Sequence, residues 1–184
     1  FIGLGIMGRP MAGHLQAAGH RLFVLEKSAA AKDLVAAGAT ACKSGKEIAE
    51  KASVVIIMVP DTPDVESVLF SAGGVAEGLS KGKVVVDMSS ISPIATKEFA
   101  KKVNAKGADY LDAPVSGGEV GAKAASLTIM VGGPQSAFDT VKPLFDKMGK
   151  NVTLIGGNGD GQTTKVANQI IVALTIEAVA EGLL

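Results

Sequence analysis

The residues Phe1-Ile2-Gly3-Leu4-Gly5-Ile6-Met7-Gly8 point to the architecture of the whole chain. Two apolar residues run into a G-x-G-x-x-G turn, and a helical pattern over Ile6–Ala18 follows. The motif alone is weak, because a chain with 23 glycines produces such spacings by chance. Its context gives it weight: a strand end, a turn and a helix opening within a βαβ unit. The first glycine permits the tight turn, the second admits a pyrophosphate to the backbone, and the third lets helix and strand pack closely. The helix N-terminus then presents unpaired N–H groups and a partial positive charge to the phosphates. A plain glycine-rich turn is the alternative. On the first reading Gly3, Leu4, Gly5, Ile6, Met7 and Gly8 bind a dinucleotide.

Outward from this loop, short β-branched runs alternate with longer helical patterns. Strands are expected at Leu22–Leu25, Val54–Val59, Lys83–Asp87, Asp109–Asp112, Leu127–Val131 and Val152–Ile155. Most are continuously apolar, as strands covered on both faces are. Helices are expected at Ala29–Ala37, Gly45–Lys51, Pro63–Phe70, Pro93–Lys106 and Pro134–Met148. Ser92-Pro93 combines a capping side chain with proline at the first helical position. The pattern is that of a Rossmann-type, doubly wound α/β domain with a mostly parallel sheet. Glu26 ends the strand after the glycine loop, where a carboxylate accepts hydrogen bonds from an adenosine ribose and repels a 2′-phosphate. Lys27 follows and suits a 2′-phosphate instead. A solvated turn is the simpler reading of the pair, and NAD is favoured over NADP.

Composition narrows the classes. The 184 residues carry 18 Lys+Arg against 18 Asp+Glu, a net charge of zero that argues against a basic nucleic-acid or membrane surface. Apolar residues make up 47%, which excludes a disordered chain, and no apolar run approaches a membrane span. Aromatic residues are only 4%, too few for a base-stacking platform. The single Cys42 has no internal disulfide partner and reads as a small buried or half-buried hydrophobe in a reducing, cytoplasmic setting. His14 and His20 have no metal-ligand spacing with each other or with Cys42, so no metal site is expected. Phe1-Ile2 is short for a strand, and the apolar helical stretch Gly161–Leu184 stops without a terminator, so a fragment of a longer chain is expected.

Two further constellations carry chemistry. Asp112-Ala113-Pro114-Val115-Ser116-Gly117-Gly118 follows a strand end, where open α/β sheets place ligands. The Ser-Gly-Gly hydroxyl and amides suit a carboxylate or an alkoxide-like oxygen, although such a triplet is more often a turn. Asp112 is expected to cap or position that loop. In Gly161-Gln162-Thr163-Thr164-Lys165-Val166-Ala167-Asn168-Gln169, Lys165 and Asn168 share a helical face in an apolar setting. Such a lysine either snorkels to water or has a chemical role.

The glycine loop with Pro10-Met11, the Asp112–Gly118 segment and Gly161-Gln162-x-x-Lys165-x-x-Asn168, in this order, resemble the β-hydroxyacid dehydrogenase family over essentially the whole chain. Lys165–Leu174 is most similar to its tartronate semialdehyde-reducing branch. The resemblance implies hydride transfer from NAD(P)H to a small 3-oxo carboxylic acid, foremost tartronate semialdehyde to D-glycerate. Oxidation of 3-hydroxyisobutyrate and reduction of glyoxylate or succinic semialdehyde are alternatives, and a catalytically inactive nucleotide-binding module is an alternative of another class, against which Lys165 speaks. By the same resemblance Lys165 is the catalytic acid and base. Ser116, Gly117, Gly118 and Asn168 bind substrate, and Met58, Val59, Pro60 and Ser90 join the glycine loop, Glu26 and Lys27 around the cofactor. Family members are longer, with a helical second domain that closes over the site and joins protomers. Residues 1–160 are then the dinucleotide-binding domain, and 161–184 begin the interdomain helix. The chain departs from the family at Ala125-Ser126-Leu127, where Gly-Thr-Leu is usual, and at Glu26-Lys27-Ser28, where NADP-preferring members often carry Asn-Arg-Thr.

Overall fold

The computed structural model describes residues 1–28 and 30–184; Ala29, expected to open a helix over Ala29–Ala37, lies outside the described residues. Phe1 and Ile2 set the centre of the sheet. The Phe1 nitrogen donates to Phe23 O at 2.6 Å on one side. On the other, Ile2 N donates to Ile56 O at 2.8 Å and Met58 N donates to Ile2 O at 2.9 Å. The stub thus stitches β1 (Phe23–Leu25) and its parallel partner β2 (Thr40–Cys42) to β3 (Val54–Ile57). From β3 the sheet runs in parallel register to β4 (Val84–Asp87) and β5 (Asp109–Asp112). The order β2–β1–stub–β3–β4–β5 is that of a doubly wound dinucleotide-binding sheet, which reverses direction at the stub.

Beyond β5 the pattern changes. β6 (Val115–Ser116) and β5 both pair antiparallel with β7 (Leu127–Gly132), and β8 (Gly149–Gly156) pairs parallel with β7. β4 is buried along its whole length, as a strand covered on both faces should be, whereas β8 at the edge is largely exposed. The expected Val152–Ile155 is the middle of that longer edge strand. β2 and β6 were not expected: three and two residues long, with little β-branched content, they exist because a neighbour supplies the ladder.

The helices cover both faces. α1 (Gly8–Ala17), α6 (Gly118–Lys123) and α7 (Gln135–Phe145) lie on one side, where Met11, Leu15, Ala122, Phe138, Val141 and Phe145 pack with Val84, Val86, Leu111 and Ile129. On the other, α3 (Gly45–Lys51), α4 (Thr62–Phe70) and α5 (Pro93–Asn104) bring Ile48, Val65, Leu69, Phe99 and Val103 against Val55, Ile57, Val85 and Tyr110. α2 (Ala31–Ala36) is short. Capping follows sequence: Ser92 Oγ accepts from Ala95 N at 3.4 Å, and Asp61 and Asp64 form a capping box around Pro63. α1 starts at Gly8 rather than Ile6, leaving Ile6 and Met7 in the loop. The chain ends in α8 (Asp160–Gly182), and among the described residues no helix is long and apolar enough to cross a membrane.

Candidate active site at the carboxyl ends of the strands

The glycine loop leaves the stub at the carboxyl edge of the sheet. A Cβ on Gly3, whose φ is +92°, would lie 2.0 Å from Met58 O, and one on Gly8 would lie 1.9 Å from Gly3 O. Only glycine permits these approaches of loop, helix and neighbouring strand. A Cβ on Gly5 meets nothing within 4 Å. The middle glycine therefore faces open space at the start of α1, where the amides of Ile6 and Met7 have no backbone acceptor among the described residues. That open face, with unpaired donors on it, fits a pyrophosphate. Glu26 and Lys27 are exposed just past β1. A small cavity of about 190 Å³ beside them is lined by Leu25, Lys27, Lys43 and Ser44.

The loops after β3 and β4 form the next wall. Met58 and Val59 are half-buried, and Pro60 and Ser90 are exposed. Beneath them lies a buried polar cluster that sequence reading missed. Tyr110 OH donates to Asp87 Oδ2 at 3.0 Å, Ser89 N donates to Asp87 Oδ1 at 3.0 Å, and Val59 N donates to Ser89 Oγ at 3.0 Å. Burial pushes the Asp87 carboxyl up to about 6, against the opposing hydrogen bonds from Ser89 and Tyr110. The same burial, with Asp87 alongside, raises the Tyr110 hydroxyl well above its ordinary value. One clue lay in the sequence: Asp87 is a charged residue closing an otherwise apolar strand.

Asp112 departs from expectation. Its carboxylate turns to α8 rather than to the Ser-Gly-Gly turn: Gly159 N donates to Oδ1 at 2.7 Å and Gln162 N to Oδ2 at 2.9 Å. A carboxylate from β5 thus caps α8, whose own N-cap residue, Gly159, offers no side chain. Burial raises the Asp112 pKa while these amide bonds lower it. The first turn seats so closely that a Cβ on Gly161 would stand 2.5 Å from Met130 O.

Lys165 lies one turn further along α8, and only 9% of it is exposed. No carboxylate lies within ion-pair distance of it among the described residues. Burial alone lowers its pKa, making the ammonium readier to release a proton. Asn168, the next residue on that face, is half-buried and donates to Gln169 Oε1 at 3.0 Å. Ser116 is half-buried; Gly117 and Gly118 are exposed at φ +130° and +58°, Gly117 lying against Leu127 and Gly118 facing open space. No hydrogen bond joins Ser116 to Lys165 or Asn168 among the described residues, so substrate would have to bridge them. Alongside, an open cleft of about 510 Å³ between α8 and the β4–α5 loop is lined by Ser90, Ile91, Pro93, Gln162, Val166 and Gln169, among others. Farther along, α8 exposes Ile170, Ile171, Leu174 and Ile176.

Comparison with known proteins accords with this geometry. The chain is 59% identical over 184 residues to 2-hydroxy-3-oxopropionate reductase of Escherichia coli K12, covering all of this chain and 63% of that protein. It is 41% identical to mitochondrial 3-hydroxyisobutyrate dehydrogenase of Drosophila melanogaster, covering 56% of it. The solved structure of Mycobacterium tuberculosis 3-hydroxyisobutyrate dehydrogenase with L-serine superposes with a TM-score of 0.88 at 34% identity, over 99% of this chain and 62% of that one. The chain thus spans less than two thirds of these relatives. Residues 1–156 match the family described as the NAD binding domain of 6-phosphogluconate dehydrogenase, and the chain belongs to that family.

Proposed function

We propose that the complete protein reduces a small 3-oxo carboxylic acid with NADH, tartronate semialdehyde to D-glycerate being the foremost pair. The observation that carries this reading is Lys165: an amine buried on the second turn of α8, unpaired with any carboxylate among the described residues, on a helix seated against β5 and β7. When bound, the nicotinamide supplies the hydride. The chain's own residues do the rest. The amides at Gly5–Gly8 hold the pyrophosphate, Glu26 accepts from the adenosine ribose, and Met58, Val59, Pro60 and Ser90 flank the remainder. Ser116, Gly117 and Gly118 hold the substrate carboxylate, and Asn168 orients the carbonyl toward Lys165. The Lys165 Nζ donates a proton to the oxygen as negative charge builds there, and takes it back in the reverse direction. The lowered pKa makes that proton easier to give up.

In this reading residues 1–160 form the dinucleotide-binding domain and 161–184 open an interdomain helix. The apolar residues exposed on α8 support a covering helical domain, through which protomers would associate. The identity to the E. coli reductase supports the substrate and a cytoplasmic setting. Initial rates of the complete protein with tartronate semialdehyde, methylmalonate semialdehyde, glyoxylate and succinic semialdehyde test the assignment. Tartronate semialdehyde is expected to give the highest kcat/KM; a higher value for any other would reassign the substrate. Direct titration is expected to show NADH bound more tightly than NADPH, because Glu26 opposes a 2′-phosphate. Equal or reversed affinities would instead give Lys27 the deciding role.

A further inference from the structure

We infer that Gln162 is a positioning residue for the reaction, locking the turn that carries Lys165 to the loop after β4. The inference rests on the reading of Lys165 just given. Gln162 is 1% exposed, a buried carboxamide at the start of a helix whose later turns lie in the open. Its side chain is fully engaged with one segment: Nε2 donates to Ser89 O at 2.7 Å, and Oε1 accepts from Ile91 N at 3.1 Å. Its own backbone N–H donates to Asp112. One residue therefore ties α8 to both β4 and β5.

The tie continues inward. Ser89 is held through its N–H on Asp87 and through its Oγ by Val59 N, and Asp87 is held by Tyr110. The chain Tyr110–Asp87–Ser89–Gln162 runs from the sheet interior to a position three residues before Lys165, on the same helical face. Ser90, between the two anchored residues Ser89 and Ile91, lies on the expected cofactor side. A shift of the Gln162 carboxamide would therefore move the amine and the cofactor wall relative to each other. Misplacement of an acid by about an ångström costs up to about 100-fold in rate. The ionisable groups around the site are Asp87, Tyr110 and Asp112 from the strands, Asp61 at the start of α4, Asp160 and Lys165 from α8 itself, and Lys97 of α5, whose side chain packs over Gly159.

Two variants of the complete protein test this, assayed beside the wild type. Gln162→Met keeps the length and removes both bonds; kcat for reduction is expected to fall about 10- to 100-fold while the Kd for NADH changes less than about twofold. Gln162→Glu serves also if the first variant fails to fold. Its protonated carboxyl can donate to Ser89 O and accept from Ile91 N, whereas its ionised form cannot donate. Its kcat should approach wild type at low pH and decline as the new carboxyl ionises, a limb absent from the wild-type profile. A merely structural role would lower thermal stability without adding that limb. Wild-type kcat in a folded Gln162→Met, or a Gln162→Glu profile parallel to wild type, would overturn the positioning role and leave the proposed function standing. A wild-type protein that reduces none of the acids would overturn both.

Discussion

Ala125 shows how a single residue records a departure from its family. It holds φ +52°, in the left-handed region, at the turn that ends α6. Ser126 N donates to Gly121 O at 2.9 Å and Ala125 N to Ala122 O at 3.5 Å, the paired bonds of a Schellman closure. Glycine is the usual residue there, and this is the position at which the resembling family carries it. The loop keeps its path and bears the strain of a Cβ. Ala125→Gly should therefore stabilise the protein by about 0.5–1 kcal/mol, the left-handed penalty less the entropy that glycine costs in the unfolded chain. A rise in the denaturation midpoint at unchanged slope would confirm this; no change or a fall would refute it. At this scale the sequence was legible where chemistry is local. The Gly3 and Gly8 contacts follow from the motif, and the burial of Cys42 from the hydrophobic character of a free thiol. Gln162 was not legible: its worth lies in Ser89 and Ile91, more than seventy residues away, which no local pattern brings near.

Among the elements, α8 is the one whose sequence and role are furthest apart. Its apolar residues lie on all sides, so periodicity alone gives no buried face. The buried face is set by three residues of the first two turns, Gly161, Gln162 and Lys165, pressed onto β5 and β7. Asp112 makes this docking possible by capping a helix that begins at a glycine. Sequence reading placed Asp112 correctly at a strand end but gave its carboxylate to the nearer loop, because the competing donor, the Gly159 N–H, lies 47 residues downstream. Asp112→Ala leaves the buried amides of Gly159 and Gln162 without an acceptor. It should cost about 2 kcal/mol or more, at or above the top of the range for a lost cap, because both donors are buried. Urea unfolding measures it; a loss below about 0.5 kcal/mol would show that the helix does not depend on this cap. The short β2 and β6 and the six-residue α6 escaped sequence reading for a common reason. β2 and β6 are built by a neighbour's backbone, and Gly117-Gly118 opens α6 in conformations that read as a turn, so local pattern shows none of the three.

For the molecule as a whole, the doubly wound order was legible because β3 and β4 are largely apolar, buried runs set among helices capped by Ser44, Asp61 and Ser92. The stub Phe1–Ile2 holds the switch point, with the glycine loop on one side and the strand ends bearing Asp87 and Asp112 on the other. On the proposed reading, this edge brings a dinucleotide's reactive ring to the amine of Lys165. Lys165→Ala in the complete protein tests it most directly, with hydride transfer and NADH affinity measured across pH. In the wild type the ammonium is the active form for reduction, so the rate should fall as pH rises through a Lys165 pKa held below its ordinary value by burial. The variant should lose about 10²–10⁴ in rate and lose that basic limb, while NADH binds as before. Turnover within a few-fold of wild type, with the limb intact, would contradict the account.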